Sequence, residues 1–281
     1  MWLPWDWAFY LAAALLLFAL VAHTRAPRWR PGLVAFAQES ALVSVIYAIW
    51  QLGNTITVTG TEHAIQRGHT VWNIERDAHL PSEITVQHWA LHAHWFIKLG
   101  NVYYIAAHVP VLGIFLFWCY FRHRDAYPKW RTRLFLATFA SMAIQLIPVA
   151  PPRLTIPGVV DTGLLYGPDV YDPSGKGFAP QLAAMPSVHC VWAVLVAFAA
   201  VRVSTSRWRW LGAVHAVLTV LFVVITGNHY WLDAIVGGGL LALAVPTQTG
   251  LHAVWARVRG WFLGDLPVTA MPEPALVRLH P

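Results

Sequence analysis

Long apolar runs separated by polar segments constrain this chain more than any other feature. Seven runs approach or reach the roughly 20 residues that a helix needs to cross a bilayer. Only 11% of the 281 residues are charged and 57% are hydrophobic, which excludes a water-soluble globule and a disordered chain. The sequence therefore predicts an all-α integral membrane protein, a bundle of six or seven transmembrane helices in the lipid bilayer. The runs are 5–23, 36–58, 103–121, 134–149, 185–201, 211–226 and 231–245.

The basic residues predict the orientation of these helices. Fourteen of the 19 Lys and Arg residues fall in alternate connecting segments, on one side of the predicted membrane. Short cytoplasmic loops are enriched in Lys and Arg, so we expect that side to be cytoplasmic and the chain to be a multi-pass protein of the cell membrane. Orientation accounts for the net charge of +6, and no nucleic-acid partner is expected. The fourteen are Arg25, Arg28, Arg30, Arg122, Arg124, Lys129, Arg131, Arg133, Arg202, Arg207, Arg209, Arg257, Arg259 and Arg278.

The same layout predicts three regions. Residues 1–133 form the N-terminal transmembrane helices with an extracytoplasmic polar segment at 60–100, residues 134–250 the catalytic transmembrane core, and residues 251–281 a cytoplasmic tail. The segment 60–100 is too long for a turn, and long connections are often functional. Part of it is expected to be a helix along the membrane surface, with a loop or a lid as alternatives.

Three polar clusters lie at the extracytoplasmic ends of predicted spans. In the first, Arg153 follows Pro151 and Pro152. A guanidinium is permanently charged and can make two parallel hydrogen bonds to a phosphate group. The alternative is an arginine that extends to lipid headgroups.

The second cluster is Met-Pro-Ser-Val-His at 185–189. A proline at a helix start leaves free backbone N–H groups and the positive end of the helix dipole, which together favour an anion such as phosphate. Ser187 is a candidate phosphate ligand, and His189 can donate a proton to a leaving oxygen. The alternative is a capped helix with an incidental histidine.

The third cluster runs from Gly227 to Asp233. If it is helical, His229 and Asp233 lie one turn apart on the same face. The carboxylate can then accept a hydrogen bond from one imidazole nitrogen and leave the other as a nucleophile or base. A structural ion pair is the alternative.

A metal site is not expected, although the chain has 14 histidines. His88, His92 and His94 are close in sequence, but no His-Glu-x-x-His arrangement occurs, and interfacial histidines often serve only as amphipathic side chains. We expect neither a metal nor another cofactor.

Together, the three clusters resemble the signature of the type 2 phosphatidic acid phosphatase superfamily, Lys-x6-Arg-Pro, Pro-Ser-Gly-His and Ser-Arg-x5-His-x3-Asp. Arg153 matches the first motif, Pro186, Ser187 and His189 the second, and His229 and Asp233 the third. The prolines before Arg153 and the His-Tyr-x-x-Asp ending look most like the actinobacterial branch that includes inositol phosphorylceramide synthases. The likeness runs from about residue 134 to 245.

This resemblance implies a metal-independent lipid phosphatase or phosphotransferase. His229 would attack the phosphorus of a membrane lipid phosphoester, Asp233 would orient it, and His189 would protonate the leaving oxygen. Arg153 and Ser187 would bind the phosphoryl oxygens. The acceptor is either water or an alcohol, and the alternative function is a non-enzymatic phospholipid carrier or transporter. A structural scaffold would not explain the three clusters, and oligomeric state is not predicted.

The departures from the family pattern fall on phosphate ligands. Its Lys, its Pro after Arg, its Gly and its Ser-Arg pair are replaced here by Leu146, Leu154, Val188, Phe222 and Val223. Either a basic residue from another segment replaces the missing charge, or the substrate is a phosphodiester of lower charge. The candidates for such a replacement are Lys176, Arg67 and Arg76. Candidates for an acceptor pocket on the same side are Glu62, His63, Glu75 and Asp77.

Overall fold

The computed structural model describes residues 3–25, 31–56, 61–168 and 181–263. Within these ranges the chain is helical apart from its connections, and an isolated parallel bridge joins Val149 to Ala183. The helices are α1 Trp5–Arg25, α2 Pro31–Ile56, α3 Thr61–Asp77, α4 Glu83–Leu91, α5 His94–Ala106, α6 His108–Arg122, α7 Tyr127–Gln145, α8 Pro152–Thr155, α9 Thr162–Tyr166, α10 Val188–Val203, α11 Trp210–Ile225 and α12 Trp231–Leu263.

The length and apolar character of the helices fit a multi-pass membrane protein. Four stretches in the described ranges can each cross a bilayer alone, and α5 with α6 can do so as a bent pair. Helix α10 is apolar but shorter, with 16 residues. The all-α membrane fold is confirmed, and the count of six or seven spans stays a prediction. The four stretches are Trp5–Thr24, Pro31–Gly53, Arg207–Ile225 and Trp231–Arg259.

The predicted span 103–121 is not a continuous helix. Helix α5 ends at Ala106, α6 begins at His108, and the two axes differ by 52°. Pro110 explains the break, because it has no N–H to donate to the carbonyl of Ala106 and its ring crowds that carbonyl. The break places the imidazole of His108 inside the bundle, where it is 3% exposed.

Two other helix ends differ from the apolar runs. Helix α7 ends at Gln145, three residues before Pro148, whereas the run continued to residue 149. Helix α12 continues through Pro246 to Leu263, so residues 251–263, which we expected to begin a cytoplasmic tail, are helical. A run of apolar residues marks the part of a helix that can lie in lipid, and it does not mark where the helix ends.

Helix α10 forms the centre of the bundle and contacts α6, α7, α11 and α12. Its Trp192 and Leu195 belong to a core cluster with Phe115, Leu134 and Leu241 from three of these neighbours. Gly237 allows α12 to approach closely, because a Cβ there would lie 3.0 Å from Val191 Cγ2.

The polar segment 60–100 is mostly helical and covers one end of the bundle. It contains α3, α4 and the start of α5, and α3 packs against α8 and α12. The connection from α7 to α10 and the connection from α11 to α12 both lie at this end. The C-terminal ends of α7 and α11 and the N-terminal ends of α10 and α12 therefore meet there. The three polar clusters lie in those connections.

Candidate active site

Backbone hydrogen bonds bring the three polar clusters together. The N–H of Arg153 donates to the carbonyl of Gly227 at 3.0 Å, which joins the first cluster to the third. The N–H of Ser187 donates to the carbonyl of Asp233 at 3.3 Å, which joins the second cluster to the third. The main chain itself therefore sets the distances between the candidate side chains.

Glycine at position 227 makes this junction possible. Gly227 has a φ of +72°, and a Cβ there would lie 3.2 Å from Arg153 Cβ and 3.1 Å from Val159 Cγ1. The following N–H groups, of Asn228 and His229, both donate back to the carbonyl of Val223 and close the C-terminal end of α11. The turn directs His229 away from α11 and toward α10.

His229 is held by two acceptors on the same ring nitrogen. Its Nδ1 lies 2.8 Å from the carbonyl oxygen of Ala184 and 3.0 Å from Oδ2 of Asp233. Because both partners accept, Nδ1 carries the ring proton, and Nε2 is left with a lone pair. Oδ2 of Asp233 also accepts from the N–H of Tyr230 at 3.0 Å, which fixes the carboxylate.

Burial keeps the ring of His229 neutral. The side chain is 5% exposed, and burial lowers its pKa from 6.5 to about 4; the bond to Ala184 opposes this shift and the charge of Arg153 adds to it. The imidazole is therefore unprotonated at neutral pH, as a nucleophile must be.

His189 faces His229 from the first turn of α10. The two ring centroids are 5.7 Å apart and the ring planes are inclined at 65°, so both can reach one phosphoryl group. Ser187 is the N-cap of α10, and its Oγ accepts from the N–H of Cys190 at 3.3 Å. Because Ser187 is fully buried, its observed contribution is to fix the start of the helix that carries His189.

Arg153 points into the protein and does not extend to lipid headgroups. Its side chain is 1% exposed. Nη1 donates to Oδ1 of Asn228 at 2.5 Å, and Nε lies 3.1 Å from Oδ2 of Asp161. These two partners hold the guanidinium beside Asn228, the residue that precedes His229.

The side chain of Tyr230 joins the third cluster to the first by hydrogen bonds. Its fully buried hydroxyl donates to the carbonyl of Ala150 at 3.0 Å and contacts the hydroxyl of Thr155 at 2.5 Å. Gly68 of α3 lies against this contact, because a Cβ there would be 2.8 Å from the Tyr230 hydroxyl oxygen. Helix α3 thus supports both clusters.

The sequence interpretation missed several residues around these side chains. Asn228 and Asp161 hold Arg153, and the rings of Tyr104 and His108 lie 4.7 Å and 4.6 Å from that of His189. The signal for His108 was present, since a histidine within an apolar run is expensive in a membrane and is often functional. Asn228 lay inside a cluster that we had singled out, but its partner is 75 residues away.

Two candidates for the missing phosphate ligand have other partners. Arg76 pairs with Glu83 at 3.3 Å, and the Nε of Arg67 donates to the carbonyl of Pro148 at 2.6 Å. The third candidate, Lys176, lies outside the described residues. Of the four acceptor-pocket candidates, Glu75 is buried against α12, whereas the other three are exposed: Glu62, His63 and Asp77.

The described residues contain no group of three or more His, Cys, Asp or Glu side chains that could hold a metal ion. The rings of His108, His189 and His229 lie instead at interplanar angles of 54° and 65° to one another along this series. The chemistry available from these residues is nucleophilic attack by Nε2 of His229, proton transfer by His189 and charge stabilisation by Arg153.

One comparison with known proteins finds a match. The family model described as the PAP2 superfamily matches residues 69–247, which includes α4–α11, most of α3 and all three polar clusters. No curated protein and no solved structure matches the chain.

Proposed function

The chain belongs to the PAP2 superfamily, a family of phosphatase and phosphotransferase type, and from this premise we propose that it acts on a lipid-linked phosphoester through a phosphohistidine at His229. The observation that carries the proposal is the tautomer of His229. Asp233 and Ala184 both accept from Nδ1, so the free lone pair lies on Nε2. A neutral, oriented imidazole opposite a second histidine is the arrangement that covalent phosphoryl transfer requires.

In the first step, Nε2 of His229 attacks phosphorus as the bond from phosphorus to the lipid oxygen breaks. His189, charged when the negative phosphate group lies beside it, donates a proton to that oxygen, and the lipid alcohol leaves. Positive charge on the phosphorylated imidazole is balanced by Asp233. Arg153 stabilises negative charge on the equatorial phosphoryl oxygens.

In the second step, His189 accepts a proton from the attacking hydroxyl, and the bond from phosphorus to Nε2 breaks. With water the product is inorganic phosphate if the substrate is a phosphomonoester and a phosphomonoester if the substrate is a phosphodiester; with an alcohol it is a new phosphoester. The same residues can serve both outcomes, because water and an alcohol both attack through a hydroxyl group. His189 ends the cycle with the proton that it began with.

The reaction is proposed to occur at the extracytoplasmic face. The clusters lie at the end of α10 opposite to Arg202, and Arg202 belongs to the predicted cytoplasmic set of basic residues. A lipid substrate can reach this end laterally from the bilayer while its head group lies beneath α3 and α4. Phosphodiester substrates of the inositol phosphorylceramide synthase type agree with the loss of two cationic family residues.

A turnover assay tests this proposal. Purified wild type and His229→Ala are given isoprenoid phosphates, phosphatidic acid or phosphatidylinositol in the presence of a chelator, with and without a ceramide or diacylglycerol acceptor. His252→Ala, an exposed histidine near the other end of α12, is the matched control. We expect turnover by wild type and the control and none by His229→Ala.

The products distinguish the possible functions. Free phosphate, or free inositol phosphate from phosphatidylinositol, identifies hydrolysis, and acceptor-dependent lipid product with little of either identifies a transferase. If wild type and His229→Ala are equally inert across the panel, the proposal is wrong and a phospholipid carrier becomes the better account.

A further inference from the structure

A buried acid on α3 contacts the first turn of α12, between the two residues of the candidate nucleophile pair. Glu75 is fully buried, and its Oε1 accepts from the backbone N–H of Leu232 at 2.6 Å. Leu232 directly precedes Asp233, and its N–H is one of those that a helix start leaves without an intrahelical partner. Glu75 therefore caps α12 from another helix.

A second buried acid lies beside the first. Glu83, at the start of α4, is fully buried, and its carboxyl group is within hydrogen-bonding reach of that of Glu75. In the described part of the chain, no N–H or O–H donates to Oε2 of Glu75 or to Oε1 of Glu83. Two ionised carboxylates repel each other at such a distance, so the contact is favourable only if a proton lies between them.

The nearby charges leave one of these acids uncompensated. Nη2 of Arg76 is 3.3 Å from Oε2 of Glu83 and also donates to the carbonyl of Pro81. Arg76 thus forms its ion pair with Glu83, and Asp233 on α12 is a further acid that repels both glutamates. The buried phenol of Tyr230 also faces them.

Burial is the main cause of a raised pKa at Glu75, followed by its bond to Glu83; together these raise it to about 9 although the N–H of Leu232 favours the ionised form. Below that pH Glu75 keeps its proton and adds no negative charge beside Asp233. Above it, a second negative charge appears beside Asp233.

We propose that Glu75 is a positioning residue that shares a proton with Glu83 and, in this neutral form, holds the first turn of α12 so that Asp233 and His229 keep their geometry. The carboxyl group touches neither substrate nor the reacting atoms. It acts through the N–H of Leu232, and the turn from His229 to Asp233 depends on that bond. The inference rests on the proposed function only where turnover is the readout.

Infrared spectroscopy of the purified protein tests the shared proton without any substrate. Wild type is compared with Glu75→Gln, and Glu62→Gln, an exposed glutamate on the same helix, is the control. We expect a carbonyl band of a protonated carboxylic acid at pH 7 that is absent in Glu75→Gln and retained in Glu62→Gln. A wild-type spectrum without a band that depends on Glu75 would overturn the proposal.

Turnover tests the positioning role. In Glu75→Gln the amide oxygen can still accept from Leu232, and the amide nitrogen can donate to Glu83. We therefore expect kcat near that of wild type. We also expect the alkaline limb of the pH profile of kcat to move above pH 9, because the glutamine does not ionise. In Glu75→Ala we expect kcat to fall at least about tenfold with little change in KM. Equal losses in both variants, or an unchanged alkaline limb in Glu75→Gln, would contradict the role. If wild type turns over nothing in the panel, the proposed function fails, and the infrared result still decides the shared proton.

Discussion

The guanidinium of Arg153 donates from Nη1 to the side-chain oxygen of Asn228, the residue directly before His229, at 2.5 Å. This bond joins the proposed phosphate ligand to the backbone that carries the proposed nucleophile. A shift of one would move the other, so in the proposed mechanism phosphate binding and attack are geometrically coupled. Asp161 also contacts Arg153, with Oδ2 at 3.1 Å from Nε.

A double-mutant cycle tests this coupling. We expect Arg153→Lys and Asn228→Ala each to lower kcat/KM, because a lysine cannot make the bond to Asn228 in the same geometry and an alanine cannot accept it. The double variant should lose less than the sum, with a coupling of about 1–2 kcal/mol. Strict additivity in kcat/KM would mean that the bond does not position Arg153.

Replacing Asp233 by Asn tests the orientation of His229. The amide oxygen can still accept from Nδ1, but the negative charge that balances the phosphorylated ring is lost. We expect kcat to fall by about 10²–10⁴-fold with KM changed little, as measured by steady-state kinetics on the best substrate. An Asp125→Asn variant, at an exposed acid between α6 and α7, should keep the wild-type rate within about twofold. A D233N enzyme of wild-type kcat would remove Asp233 from the mechanism.

Gly68→Ala tests the support that α3 gives to the site. A Cβ at this position would lie 2.5 Å from Thr155 Cγ2 and 2.7 Å from the carbonyl oxygen of Ala150, so neighbouring backbone must move. We expect a loss of stability of about 1–3 kcal/mol in detergent, together with lower turnover. Gly113→Ala is the matched control, because nothing lies within 4 Å of its Cβ. Equal unfolding temperatures for the two variants would show that the contact is not tight.

The pH dependence of turnover tests the neutral state of His229. Its pKa is lowered from 6.5 to about 4, so the ring is unprotonated above that pH and becomes protonated, and unreactive, below it. We expect kcat/KM to persist below pH 6 and to fall as the pH decreases through about 4. Samples returned to neutral pH must recover full activity for the limb to report titration. A reversible acid limb centred near pH 6.5 would contradict the conclusion that burial lowers the pKa of His229.

Local sequence patterns predicted the parts of this site that lie within one short segment. The contact of His229 with Asp233 could be predicted from their i, i+4 spacing, although the helix assumed for it begins only at Trp231 and His229 lies just before it. The start of α10 could be predicted because proline and serine precede it. The all-α membrane fold followed from composition and the apolar runs. Family membership followed from the order and spacing of the three clusters.

Contacts between distant segments could not be predicted in the same way. Glu75 and Leu232 are 157 residues apart, and nothing in the periodicity of either segment indicates the other. Glu75 was instead grouped with exposed acids of the same segment as a candidate for an acceptor pocket. The break near His108 has a local cause, Pro110. The angle between α5 and α6 could not be predicted, because it depends on how the two helices pack.

Phosphorylation of His229 during turnover is the step on which the proposed mechanism depends. Wild type, His229→Ala and His252→Ala are mixed with the best lipid substrate carrying ³²P in its phosphate, quenched in alkali, where phosphohistidine is stable, and digested for peptide mapping by mass spectrometry. We predict a phosphorylated peptide with the label on His229 in wild type and in His252→Ala, and no labelled peptide in His229→Ala. Turnover by wild type without label on His229, or turnover by His229→Ala, would contradict the account.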